Sequence, residues 1–152
     1  MIRLHKLIST SLGIGYVGKG GGTVAAVVTC ICWYLWQAGG DELVIWQVIL
    51  TGIITALGIW SASCVEPLWG KDDKKVVIDE VAGMCISLLF IPVQFNTVLA
   101  ALVLFRFFDI AKPLYIRRTE KLKGGWGVML DDVVSGIYSN LILQLFLYLD
   151  LF

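Results

Sequence analysis

Leu43-Val44-Ile45-Trp46-Gln47-Val48-Ile49-Leu50-Thr51-Gly52-Ile53-Ile54-Thr55-Ala56-Leu57-Gly58-Ile59-Trp60-Ser61-Ala62 runs without a single charged side chain. A stretch of about 20 apolar residues is the length that crosses a bilayer as one helix. Four further apolar runs, at 23–38, 81–93, 98–108 and 133–149, flank it in the same chain of 152 residues. They are shorter, and the middle two reach spanning length only by extending over Asp79-Glu80 and Arg106/Asp109. Those charges therefore belong at or just inside the membrane interface, covered by neighbouring helices. The expected fold is all-α: a polytopic membrane helical bundle of about five hydrophobic helices, some short or partly inserted.

Composition agrees. The chain is 58% hydrophobic and 16% charged, with a mean hydropathy of +0.82, whereas a soluble domain carries about 25% charge. No repeat, linker or low-complexity stretch divides it, so residues 1–152 read as one domain. The first apolar run ends in Leu35-Trp36-Gln37-Ala38. A bulky Trp there argues against a cleaved leader, where a small residue precedes the cut.

Orientation follows from the basic residues. With the N-terminus cytoplasmic and one crossing per run, the outer segments are 39–42, 94–97 and the C-terminal tip. None of the 12 Lys and Arg lies in them, and positive residues favour the cytoplasmic side. Of the acids, only Asp41, Glu42 and Asp150 fall outside that face. The net charge of +0 thus conceals one strongly polar side, where chemistry is expected.

The residue inventory excludes several chemistries. His5 is the sole histidine, in an amphipathic N-terminal stretch, so a histidine nucleophile or base is not expected. No Cys is followed by Arg at the spacing of a cysteine-phosphatase loop, and no Asp-x-Asp occurs. Cys30, Cys32, Cys64 and Cys85 sit in or beside apolar runs as small buried residues.

Carboxylates remain, in four groups: Asp72/Asp73, Asp79/Glu80, Asp109 with Arg106 and Lys112, and Asp131/Asp132. All-oxygen donors select magnesium, calcium or manganese over zinc. Arg106, Asp109 and Lys112 recur at helical spacing on one side, and Pro113 sets the helix end at Lys112. Asp79 and Glu80 diverge by about 100° on a helix, so one could ligate a metal while the other orients a base. Gly18-Lys19-Gly20-Gly21-Gly22-Thr23 opens the first run. Exposed backbone N–H groups at such a helix start form an anion cradle, with Thr23 the expected N-cap. Gly124-Gly125-Trp126-Gly127 leads into Asp131-Asp132 at the lip of the last apolar run. Paired acids there are costly unless a cation lies against them.

Taken in order, Lys19-Gly20-Gly21-Gly22-Thr23, Lys71-Asp72 with Val77-Ile78-Asp79-Glu80-Val81-Ala82-Gly83, Phe105-Arg106-Phe107-Phe108-Asp109-Ile110-Ala111-Lys112-Pro113, and Gly124 to Asp132 with Gly136 form one pattern. The pattern resembles the phosphatidylglycerophosphatase A family of small bacterial membrane enzymes. Departures are Gly21, Asp73 and Tyr115 where the family commonly has proline, and Ala25-Ala26 near an expected Gly-Ser.

The resemblance implies Mg2+-dependent removal of the terminal phosphate of phosphatidylglycerophosphate, a step of glycerophospholipid biosynthesis. It implies a multi-pass protein of the bacterial cytoplasmic (inner) membrane, with the active site on the cytoplasmic face and no nucleic-acid partner. Carried onto this chain, Asp79, Glu80, Asp109, Asp131 and Asp132 are the candidate catalytic acids. Asp79, Glu80, Asp131, Asp132 and Asp72 are the candidate metal ligands. Arg106, Lys112, Lys19 and Thr23 are the candidate phosphate contacts, with Asp109 positioning Arg106 or acting as base. Five short helices bury polar groups poorly alone, which favours a homo-oligomer. Two alternatives stand beside this expectation: a phosphatase of another lipid phosphate, and a small membrane transporter whose intramembrane charges mark an ion path.

Overall fold

The computed structural model describes residues 1–37, 44–71, 73–113, 115–119 and 121–152. The outer turn expected at 39–42 and the candidate ligand Asp72 lie outside the described residues. Helices are α1 (Ile2–Ser9), α2 (Gly21–Gln37), α3 (Val44–Trp69), α4 (Ile78–Leu88), α5 (Phe95–Ala111), α6 (Ile116–Thr119) and α7 (Gly125–Tyr148), with a 3₁₀ turn at Ile14–Val17. No strand occurs among the described residues.

The five apolar runs correspond to α2, α3, α4, α5 and α7. Two of these, α3 and α7, are long and apolar enough to cross a membrane. Along α3, Ile45, Trp46, Ile49, Ile53, Leu57 and Trp60 face outward. So wide an apolar exterior suits hydrocarbon rather than water. The helices exceed the runs at most ends. Helix α5 starts earlier because Gln94 and Thr97 form a reciprocal capping box, and α3 continues through Pro67 to Trp69.

Helix α4 stops short of the expected Val93. Leu89 turns extended and Phe90 adopts φ +63°, leaving a helix of only about 16 Å at 1.5 Å per residue. It is the hub of the bundle, packed by α2, α3, α5 and α7. Its terminal carbonyls have no water to bond in an apolar interior, where every backbone group needs a protein partner. Asn140 of α7 supplies it: Nδ2 donates to the carbonyls of Ile86, Ser87 and Leu89 at 3.1, 3.1 and 2.7 Å.

One apolar cluster gathers Trp33, Met84, Leu88, Phe105 and Leu143; a second gathers Val65, Ile78, Ala82, Val128 and Met129. Between them α4 and α7 cross almost backbone to backbone. A Cβ on Gly136 would lie 2.4 Å from the Gly83 carbonyl oxygen, and one on Gly83 would lie 2.6 Å from the Asp132 carbonyl oxygen. Small residues permit such close crossings. This crossing sets α4's first turn beside the two acids of α7.

Helix α1 packs on α3. His5 is buried there, with Nδ1 3.4 Å from Ser61 Oγ and its ring edge-on to Trp60. Its ring packs between α1 and α3.

Candidate active site

All four acidic groups reach one end of the bundle, the first of them through Asp73. Asp79 and Glu80 occupy the first turn of α4, where the helix N-terminus favours negative charge. Asp132 projects from α7. Carboxylate oxygens of Asp79, Glu80 and Asp132 all lie within 4.8 Å of one another. Adjacent helical residues diverge by about 100°, yet Asp79 and Glu80 converge, because Asp132 approaches the gap between them.

Burial makes the arrangement costly. Asp79 is 7% exposed and Asp132 2%. At an effective dielectric of about 20, each ionised pair at that separation repels by about 3 kcal/mol. Asp79 Oδ1, Glu80 Oε2 and Asp132 Oδ1 are buried with no hydrogen-bond partner among the described residues. Buried polar atoms are otherwise almost always satisfied. Three orphaned, hard oxygen donors in one spot fit a hard divalent cation such as magnesium.

Positive charge surrounds the trio. Arg106 pairs with Asp109 and lies 4.0 Å from Glu80 Oε1. Lys112 caps α5 in the left-handed conformation, φ 46°, with its N–H donating to the Phe108 carbonyl. That is the helix end Pro113 dictates. Its ammonium donates to Asp131 Oδ2 at 2.6 Å. Asp131 and Asp132 thus divide: one faces Lys112, the other faces Asp79 and Glu80.

All of these residues line one cavity of about 440 Å³, together with Gly18, Lys19, Gly20, Gly21 and Gly22 from the start of α2 and Asp73, Lys74 and Val76 from the loop before α4. Gly22 comes so near Glu80 that a Cβ there would lie 1.8 Å from Oε1. Thr23 is different. Helix α2 begins at Gly21, so Thr23 is its third residue rather than its N-cap; it is exposed and does not line the cavity. The helix thus starts two residues before the expected cap, at Gly21.

A similar shift occurs in α7, which begins at Gly125 rather than near Val133. Gly124, at φ +66°, is the N-cap, and the Gly125 N–H donates to Ser63 Oγ at 2.8 Å. A Cβ on Gly125 would lie 2.1 Å from the Ile59 carbonyl oxygen. The glycines thus seat α7's first turn on α3, and Asp131-Asp132 lie well inside the helix. Lys74 and Asp73 were not singled out as site residues in the sequence. Lys74 has no signal of its own beyond its place between the two acidic blocks.

A buried carboxylate cluster ringed by cations, at the end of an apolar helical bundle, is suited to phosphate chemistry beside a lipid phase. The chain's relatives make it a phosphoric monoester hydrolase, and the fold of its described residues is all-helical. It belongs to the phosphatidylglycerophosphatase A family, whose model matches residues 7–147. A protein of Escherichia coli named phosphatidylglycerophosphatase A is 31% identical over 140 residues, covering 88% of this chain and 77% of that one. One of the same name from Haemophilus influenzae is 40% identical over 97 residues, covering 62% and 60%. A Bacteroides thetaiotaomicron protein, provisionally named phosphatidylinositol-3-phosphatase, is 40% identical over 145 residues, covering 92% and 91%. No solved structure matches the chain. Membership of a phosphatase family sets the transporter alternative aside.

Proposed function

We propose that the protein hydrolyses phosphatidylglycerophosphate to phosphatidylglycerol and inorganic phosphate, with magnesium, at the cytoplasmic face of a bacterial inner membrane. The observation that carries this reading is the orphaned trio Asp79, Glu80 and Asp132, set against Arg106 and Lys112 in one cavity. Magnesium held by that trio would supply Lewis acidity toward a phosphoryl oxygen.

The side chains divide the remaining tasks. Arg106, fixed by Asp109, presents a planar fork to phosphate oxygens. Lys112, held by Asp131, adds a point charge. Gly18 to Gly22, at the glycine-rich start of α2, line the same cavity, and a helix N-terminus favours an anion. Asp109 stands beside Arg106, where it can orient the guanidinium or accept a proton from an incoming water.

A lipid substrate suits the surroundings. Ile78 and Val81, which bracket Asp79 and Glu80 in the sequence, line an apolar groove of about 490 Å³ formed with α1, α2 and α3. Diacyl chains can remain in an apolar phase while the headgroup enters the polar cavity. The Bacteroides relative's name favours a second reading, a phosphoinositide substrate with the same monoester chemistry.

The test is phosphate release by the purified protein in mixed micelles. Phosphatidylglycerophosphate and phosphatidylinositol 3-phosphate are compared, each with magnesium and with chelator. The proposal expects faster release from the first lipid, lost on chelation and restored by magnesium. Faster release from the phosphoinositide would reverse the substrate assignment, and undiminished release in chelator would remove the metal.

A further inference from the structure

Charge at the cavity is not evenly engaged. At its floor, Arg106 and Lys112 are already paired with Asp109 and Asp131. At its mouth, Lys19 and Lys74 are exposed and have no ion-pair partner among the described residues. The loop bearing Lys74 is nevertheless well anchored. Asp73 Oδ1 accepts from the Lys75 N–H at 3.0 Å, and the Lys75 ammonium lies over the Trp69 ring. The Val77 N–H donates to the Ser9 carbonyl. The charges beside Lys74 are thus committed to holding the loop, and Lys74 is presented at the cavity without a partner. Lys19 faces the same space from the glycine loop before α2.

We infer that Lys19 and Lys74 form a second anion site at the cavity mouth, which takes the phosphodiester joining the headgroup to diacylglycerol. The inference rests on the lipid-phosphatase reading above and is neutral between its two substrates. Each of those lipids carries a terminal phosphomonoester on a polyol and, one polyol further toward the tails, a phosphodiester. With the monoester at the buried trio, the diester of either lipid falls nearer the mouth and the lipid phase. Two lysines suit this task, because the diester is a single diffuse charge that needs no bidentate fork.

The discriminating probes are the two halves of the substrate. Phosphatidylglycerol has the diester and no monoester; inorganic phosphate mimics the monoester alone. Each is titrated as an inhibitor of phosphate release in neutral mixed micelles. Lys74→Ala should raise the phosphatidylglycerol concentration for half-inhibition about tenfold, the scale of one charged hydrogen bond. It should leave inhibition by inorganic phosphate unchanged, and Lys74→Arg should restore the wild-type value. Lys123→Ala, outside the cavity, controls for general attraction of anionic lipid. Equal weakening of both inhibitors, no change in either, or the same effect from Lys123→Ala would overturn the second site. Absence of phosphate release by the wild-type protein from both lipids would instead remove the underlying reading.

Discussion

Gly22 and Glu80 approach so closely that a Cβ on the glycine would occupy the space of Glu80 Oε1, 1.8 Å away. The α2 start and the metal-type cluster are therefore mutually fitted. The obstructing atom is the end of a flexible side chain, so Gly22→Ala should swing Glu80 aside rather than unfold the bundle. Loss of supporting geometry around a metal typically weakens it by about 10- to 100-fold. The magnesium concentration for half-maximal activity should rise on that scale, with the unfolding temperature in chelator within a few degrees of wild type. An unchanged magnesium requirement would show that Glu80 does not contribute to the cluster.

Asp79→Asn and Asp132→Asn each remove one charge from three crowded, buried carboxylates. Phosphate release should fall to background in both. Thermal unfolding provides a readout independent of activity. In chelator the variants should unfold at or above the wild-type temperature, because mutual repulsion is relieved. Magnesium at about 100 times its dissociation constant should then stabilise only the wild type, by about 2.7 kcal/mol. Equal stabilisation of wild type and variants would move the metal away from this trio.

Much of the bundle was legible because hydrophobicity alone positions it: residues 44–62 of the longest apolar run lie within α3, and Pro113 marks the end of α5 at Lys112. The acids were legible as a set, since charge in an apolar chain demands a reason. Their grouping was not. Whether Asp131 or Asp132 joins Asp79 depends on the rotation of α7 about its axis, set by the Gly83–Gly136 crossing and the seat of Gly125 on α3. Those are contacts between distant segments, which local spacing does not encode. The same holds for Asn140, an ordinary polar residue in an apolar run until α4 is seen to end against it. The N-cap expectation for Thr23 failed for a local reason: Gly21 and Gly22 already belong to α2.

Lys112 and Asp131 form a largely buried pair, so breaking it one-sidedly should cost more than replacing both. Lys112→Met takes the ammonium away from Asp131, and Asp131→Asn takes the carboxylate away from Lys112. The double variant should recover a coupling energy of about 1–3 kcal/mol relative to the sum of the singles. Denaturation of the four proteins in one detergent measures it. Strict additivity would mean that the 2.6 Å contact carries no net coupling.

Asn140→Leu fills the same space without the amide. Three carbonyls at the end of α4, from Ile86, Ser87 and Leu89, then lose the amide inside the bundle, and Ile86 keeps only the Leu89 N–H. Gln144 Nε2, which donates to Asn140 Oδ1 at 2.6 Å, loses its acceptor as well. Hydrogen bonds in membrane interiors average about 0.6 kcal/mol each, so the three together predict a destabilisation of about 2 kcal/mol. The loss is far from the carboxylates, at the other end of an 11-residue helix. The folded fraction should therefore keep its magnesium requirement while the unfolding midpoint drops. A fall in turnover at unchanged stability would instead mean that the break after Leu88 positions Asp79 and Glu80, with α4 acting as a rigid rod between its two ends.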